Sequence, residues 1–286
     1  MVSISCRMRL LYVLRHARHL STIGLRALST FRSDFAPGTE FYGPESAKKH
    51  EDLVDLLRKE YRRHGYREIM TPTLLRTSFL KKFGIEGLEE NVIIGSENDE
   101  FVLKSSGRIP ACIVFDSHPI SHRFLPVRYV DFGVLHKQGS SKSFVRWNQD
   151  EASVFCKPIQ IEDELRRILN TTIQILRFLR LEIVFQLSKG HFQPHLQRVL
   201  KDGGLKYETI DAADTILKGV VQAENGDYWS GTSVQIDEET PRVMDLHYYD
   251  EDCVKTAPIL VSHTVVGPFH EFLRFQEQNQ RLKHQG

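Results

Sequence analysis

Cysteine is scarce in this 286-residue chain, with four residues at Cys6, Cys112, Cys156 and Cys253 and no Cys-x-x-Cys pair among them. Such scatter excludes a zinc ribbon or a disulfide framework and fits a reducing compartment. The four are expected to act as small buried hydrophobes. No glycine-rich loop suited to cradling phosphate is present, and there is no internal repeat or low-complexity tract. No apolar run approaches the roughly 20 residues of a membrane span. Acid is missing from residues 1–33: the first carboxylate is Asp34, preceded by Arg7, Arg9, Arg15, Arg18, Arg26 and Arg32 with leucines and serines between. Arg15 and Arg18 interrupt the Leu10–Leu14 run too early for a secretory signal. The segment therefore reads as a mitochondrial presequence, which implies the matrix as the site of action. A basic arm touching RNA or membrane is the alternative.

What remains is ordinary globular material, 41% hydrophobic and 26% charged overall. Without the six arginines of the leader, 32 basic residues face 37 acidic ones, so any contact with nucleic acid must be a local patch. Residues 34–45 read as a linker punctuated by Pro37-Gly38 and Gly43-Pro44, and 46–286 as one core. Helical spacing places Leu53, Val54, Leu56, Leu57 and Tyr61 on a helix over 46–64 closed by Gly65, and Leu165, Ile168, Leu169, Ile173 and Leu176 on another over 161–179. Strands are expected over 66–69, 101–104, 127–135, 153–155, 181–187, 243–249 and 258–266, with a last helix over 269–278. Without a regular βαβ alternation, the expected class is α+β, an antiparallel sheet flanked by helices.

Three segments in order, His64-Gly-Tyr-Arg-Glu-Ile-Met-Thr-Pro-Thr-Leu-Leu75, Leu125-Pro-Val-Arg-Tyr-Val-Asp-Phe-Gly-Val-Leu-His-Lys-Gln138 and Val261-Ser-His-Thr-Val-Val-Gly-Pro-Phe-His-Glu-Phe272, together resemble the catalytic core of class II aminoacyl-tRNA synthetases. The resemblance is closest to threonyl-tRNA synthetases, through Asp131-Phe-Gly-Val-Leu-His136, the run Gln149–Cys156, Leu187-Ser188 and Val234-Gln-Ile-Asp237, in a degenerate and truncated form. It implies an antiparallel sheet of six to seven strands, and a dimer surface around the helix and strand that end at Pro72. It also implies a core with neither an anticodon-binding nor an editing domain.

The resemblance further implies a damaged ATP site. The family's phosphate-gripping arginine is read as Lys137, its adenine-recognising glutamate as Gly139, and its Glu-Arg pair in the third segment as His270-Glu271, a cation turned into an anion. Arginine matters there because its planar fork grips phosphate and stacks on a base. The three zinc-ligand positions of the threonyl branch fall on Arg108, Ser153 and Ser262, none of them an ordinary zinc ligand in this role. His263 and Cys112 could replace them only by a shift of register. Gln149 and Asp150 match polar residues of the amino-acid pocket, Glu151 stands where that branch has aspartate, and the resemblance places Gln235 with them. Gln235 and Asp237 also read simply as alternating strand polars. Arg128 and Arg146 read as salt-bridge partners able to meet an anion, and His118, His122, His191 and His195 as loop residues.

The expectation is therefore a non-catalytic, mitochondrial relative of threonyl-tRNA synthetase that binds RNA or protein. No cofactor is expected, ATP and zinc entering only if the chain is a minimal active threonine-tRNA ligase. Partners would be a second copy, a related subunit, tRNA or the mitochondrial ribosome. A structural role within that ribosome is the third reading.

Overall fold

A computed structural model describes residues 30–83, 93–96, 99–138, 144–179, 181–211, 216–222 and 228–283. Its centre is an eight-stranded sheet of β1 (Arg67–Glu68), β2 (Val127–Asp131), β3 (Glu151–Cys156), β4 (Val184–Ser188), β5 (Tyr207–Ile210), β6 (Ile216–Gln222), β7 (Tyr228–Asp237) and β8 (Ile259–Thr264). The spatial order is β5-β4-β6-β7-β8-β3-β2-β1. Six strands from β4 to β2 run antiparallel to their neighbours, and β5 and β1 close the two edges in parallel pairings. The fold class is the expected one, with a sheet of eight strands where six or seven were anticipated.

Five helices dress the sheet: α1 (Pro44–Arg63), α2 (Arg108–Asp116), α3 (Ile161–Phe178), α4 (Gln193–Asp202) and α5 (Phe269–Lys283). Helix α1 starts on Pro44, whose missing N–H costs nothing in a first turn, carries Glu45 there and Arg62 and Arg63 in its last turn, and stops before Gly65 at φ +81°. Leu53, Leu57 and Tyr61, spaced by four, are its buried stripe. Helix α3 repeats the logic with Glu162, Asp163 and Glu164 at its start and Leu165, Ile168, Leu169 and Leu176 inward. These helices, with α4 and α5, cover one face of the sheet, packing on Val154, Cys156, Val234, Ile236 and Val261. Each fully buried leucine of this set stabilises the fold by about 1.5–3 kcal/mol relative to exposure.

The opposite face carries a smaller core in which Ala111, Cys112 and Phe115 of α2 meet Val127, Tyr129, Phe155 and Leu260, with Met244, Leu246 and Tyr248 alongside. Because side chains alternate along a strand, the positions of β3, β7 and β8 that share this second face are Glu151, Ser153, Gln235, Asp237, Ser262 and Thr264. Apolar toward one end and polar toward the other, this face is where a site forms.

Several sequence expectations shift. The linker is partly structured: Thr30–Arg32 pairs with Glu40–Tyr42, Phe31 stacks on Phe41 at 5.1 Å, and Glu40 holds both Arg32 and Arg274. Residues 1–29 lie outside the described residues. The strand expected over 127–135 is split at Phe132-Gly133. A side chain at Gly133 would come within 2.6 Å of Lys104 Nζ, so glycine lets the chain round the buried Lys104–Asp131 pair and restart as Val134–Gln138 against Phe144–Asn148. The strand expected over 243–249 is instead a helical turn, Glu239–Val243, and a two-residue strand, Tyr248–Tyr249. Asp237 Oδ1 accepts from the backbone N–H groups of Glu239 and Thr240 and turns the chain into that helix. Among the cysteines, Cys112 and Cys156 are buried, Cys253 is exposed, and Cys6 lies outside the described residues.

Candidate functional site

Hydrogen-bond register brings the three distant positions Arg108, Ser153 and Ser262 to one place. Ser153 on β3 stands directly opposite Ser262 on β8, and Ser262 stands opposite Gln235 on β7. Arg108, the first residue of α2, reaches the same face, its Nη1 lying 3.4 Å from both Gln235 Oε1 and Asp237 Oδ2. All three line one polar cavity of about 160 Å³ with Ser106, Gln149 and Glu151. Ser262 Oγ is buried there without a hydrogen-bond partner among the described residues.

Glu151 joins the cavity from the start of β3. Its carboxylate accepts from the Gly107 N–H and, at 3.3 Å, from Ser106 Oγ, which ties it to the N-terminus of α2. Burial pushes its carboxyl up to about 7, although the Gly107 and Ser106 bonds and the Lys104 charge pull the other way. Gln149 is oriented by Trp147, whose indole N–H donates to Gln149 Oε1 at 2.9 Å. Lys104, 1% exposed, donates to Asp131 Oδ2 at 3.0 Å and to Thr71 Oγ1 at 2.8 Å, fixing the loop that leads to Pro72.

Asp150, expected among the pocket residues, lies elsewhere. It is fully buried and accepts from the Tyr61 hydroxyl at 2.7 Å and from the N–H groups of Val265, Val266 and Gly267 at 2.6, 3.0 and 2.8 Å. Burial raises its carboxyl to about 6 against the lowering effect of these four donors. Asp150 thus pins the turn between β8 and α5 rather than facing the cavity, because it leaves the chain on the other side from its neighbour Glu151.

The register-shift alternative for a metal does not survive the sheet geometry. His263 pairs opposite Ala152, so its ring lies on the helix-covered face, with Nε2 at 2.8 Å from the Tyr66 hydroxyl, an edge contact to Tyr66 and a tilted contact to Tyr61. Burial lowers its pKa to about 3, which keeps it neutral. Cys112 belongs to the apolar core under α2, where burial pushes its thiol up to about 12. Zinc wants thiolate, imidazole or carboxylate, and a guanidinium with two hydroxyls supplies none of these. The residues at the three positions therefore do not fit the ion. Among the described residues no three of His, Cys, Asp and Glu cluster in a way that would hold one.

The residues aligned with the ATP site lie on the hairpin and at the head of α5. Lys137 is exposed on the strand Val134–Gln138, and Gly139 lies outside the described residues. Glu271 sits in the first turn of α5 with its side chain 59% exposed, 3.9 Å from His270 Nε2. An acid there suits the positive end of a helix. His270 is largely buried, which lowers its pKa although Glu271 opposes the shift, and its Nδ1 has no partner. On the strand facing Lys137, Arg146 stands opposite His136, and its charge helps to hold His136 and His50 below the ordinary imidazole range, burial being the larger cause for both.

Other polar residues behave as structure. Arg128 makes a two-pronged pair with Glu164 at 2.6 and 2.5 Å. His195 lies on α4, not in a loop, and meets Glu162 at 3.0 Å, while His118 bonds Ser117 at 2.9 Å. His122 occupies a single helical turn and His191 packs edge-on against Phe192. Gln235 and Asp237 are indeed alternating strand polars, and that alternation is what delivers them to the cavity.

The sheet order, the two-faced packing and the position of the cavity define a synthetase-type core. The model of the tRNA synthetase class II core domain (G, H, P, S and T) matches residues 88–275, and the chain belongs to that family. Among similar proteins is the cytoplasmic threonine-tRNA ligase of Caenorhabditis elegans, 28% identical over 272 residues, covering 83% of this chain and 36% of the relative. That of Saccharomyces cerevisiae is 32% identical over 204 residues, covering 68% and 27%. The chain therefore spans well under half the length of these relatives. In three dimensions it is similar to the crystal structure of the RNA binding domain of threonyl-tRNA synthetase from Cryptosporidium parvum, with a TM-score of 0.79 and 24% identity over 87% of this chain and 68% of that one. A threonyl-tRNA synthetase from Aeropyrum pernix aligns with a TM-score of 0.69 and 18% identity over 87% and 62%. These likenesses carry the fold.

Proposed function

We propose that this chain is a non-catalytic, threonyl-tRNA synthetase-like protein of the mitochondrial matrix that works by binding RNA or a protein partner in translation. One observation carries the reading: Arg108, Ser153 and Ser262 meet in a single cavity, and this set offers a cation and two hydroxyls where the family resemblance calls for three metal ligands. Exposed Lys137 and Glu271 add to it, because one lacks the guanidinium fork and the other repels phosphate. The arginine-rich, acid-free segment before Asp34 supports import into mitochondria.

A dimer-type surface is part of the proposal. Beyond the two-residue edge strand β1, Met70 is 93% exposed, Leu74 four residues further on is exposed as well, and Pro72 between them donates no backbone hydrogen bond. A second copy or a related subunit would cover these residues. Threonine-dependent ATP–pyrophosphate exchange tests the central claim, with no exchange expected. Purification from mitochondria should recover bound RNA or protein, and robust exchange would favour a minimal active ligase instead.

A further inference from the structure

The cavity holds a cation whose best edge is unused. Arg108 reaches Gln235 and Asp237 through Nη1 alone, and both contacts, at 3.4 Å, lie beyond ordinary hydrogen-bond length. Among the described residues, Nε and Nη2 bond to nothing. That side of a guanidinium presents two parallel donors and matches a carboxylate in a bidentate pair. Asp237 already faces the guanidinium as an ion-pair partner at 3.4 Å from Nη1, and its oxygens are also held by the N–H groups of Glu239 and Thr240 and, at 2.6 Å, by the Thr240 hydroxyl, so it occupies the Nη1 side and leaves the Nε–Nη2 edge.

A second, independent group is unmet in the same cavity. Among the described residues Ser262 Oγ is buried with no partner, directly opposite Ser153. The neighbouring hydroxyls are engaged, since Ser233 and Thr264 bond each other at 3.0 Å and Thr264 donates to Gly231 O at 2.6 Å. Buried polar atoms are rarely left alone, so an unbonded hydroxyl beside an unbonded guanidinium edge points to a ligand with an acidic and a hydroxylic group close together. The volume of about 160 Å³ suits a small molecule.

We propose that the cavity binds a small hydroxy-monocarboxylate, the free edge of Arg108 holding its carboxylate and the Ser153–Ser262 pair receiving its hydroxyl. The inference rests on the reading that Arg108 has taken a metal-ligand position of this site. A metal ion accepts a lone pair from an amine, whereas a guanidinium repels the ammonium of an amino acid and attracts a carboxylate. The exchange of residue thus inverts which small molecule the pocket admits.

The test is isothermal titration calorimetry with four probes: glycerate, propionate, glycerol and threonine. Glycerate should bind at one site per chain, at least tenfold more tightly than any of the other three. Arg108→Met should weaken glycerate at least tenfold with an unchanged melting temperature. If that variant fails to fold, Arg108→Lys, which keeps the charge and loses the fork, should still weaken it severalfold. Ser262→Val should remove the preference for glycerate over propionate. No heat with glycerate, equal binding by the Arg108 variants, or threonine binding more tightly than glycerate would each overturn the proposal. ATP–pyrophosphate exchange on the same preparation separates the two readings, because exchange would sink the non-catalytic function, while silent exchange together with absent glycerate binding sinks only this inference.

Discussion

Asp150 and Glu151 are consecutive acids that point to opposite faces of the sheet: Asp150 bonds Tyr61 and the turn at Val265–Gly267, and Glu151 bonds Gly107 and Ser106 beside the polar cavity. One divides the labour of holding the fold, the other that of shaping the site. Both are raised by burial, to about 6 and about 7, so proximity in sequence and similarity in acidity conceal different roles.

Replacing Asp150 should therefore cost stability. Asp150→Ala leaves three backbone N–H groups and the Tyr61 hydroxyl without their acceptor inside a fully buried site. Each orphaned donor costs about 1–3 kcal/mol, and with partial rearrangement a loss of about 3–5 kcal/mol is expected. Denaturant unfolding should show it, whereas Glu151→Gln, which keeps an acceptor for Gly107, should change stability by less than about 1.5 kcal/mol.

Much of this division was within reach of the sequence. The helix starting near Ser46 and the helix from Ile161 follow from apolar spacing and end charges, and both stand within two residues of expectation. Strict period-two alternation already separates Glu151 and Ser153 from Asp150 and Ala152, yet matching residues to a family pocket overrode it. The inward turn of Asp150 becomes visible only once Tyr61 and Gly267, far apart in the chain, are seen to converge on it. The segment Val243–Tyr249 read as a strand because Val243, Leu246 and Tyr248 suit one, but Asp237 caps a helical turn there first. Arg108, Ser153 and Ser262 could be paired by alignment, but their meeting in one cavity depends on strand order, which local sequence does not encode.

His263 gives stability a pH signature. Its pKa falls from 6.5 to about 3 on folding because burial disfavours the imidazolium. The unfolded chain therefore takes up a proton below about pH 6.5 that the folded chain refuses, and stability falls as pH drops through that window toward 3. Between pH 7.5 and 5 this group should remove about 2 kcal/mol, at 1.36 kcal/mol per pH unit below 6.5. The raised carboxyls of Asp150 and Glu151 act in the opposite sense, favouring the fold below their unfolded values and losing that contribution as pH rises through about 6 and 7. The clean readout is a difference: the stability gap between the wild type and His263→Phe should narrow by about 2 kcal/mol between pH 7.5 and pH 5.

The exposed residues near Pro72 predict an association state. Met70, 93% exposed, and Leu74, 50% exposed, would be costly to leave in water beside the edge of a sheet. Light scattering at micromolar concentration should give twice the chain mass, or that of a mixed complex when a related subunit is present. Met70→Asp combined with Leu74→Asp should yield a monomer of unchanged melting temperature. A wild type that stays monomeric with every candidate partner would refute the surface.

Catalysis is the sharpest prediction. Adenylate formation needs charge neutralised around a triphosphate and a substrate held in line with it. On the proposed reading, Lys137 and Glu271, the latter on the first turn of α5, stand where the family resemblance implies phosphate-binding arginines, and the polar cavity presents Arg108, Ser153 and Ser262. Losing two such contributions at about 3 kcal/mol each slows the reaction by roughly four orders of magnitude, since 1.36 kcal/mol is a factor of ten. Threonine-dependent ATP–pyrophosphate exchange should accordingly be undetectable. Glu271→Arg alone should leave it so, because the substituted cavity lies on the β3, β7 and β8 strands and is untouched by a change on α5. Exchange by the wild-type chain that Lys137→Ala abolishes would establish instead that lysine performs the arginine's task in a rebuilt active site.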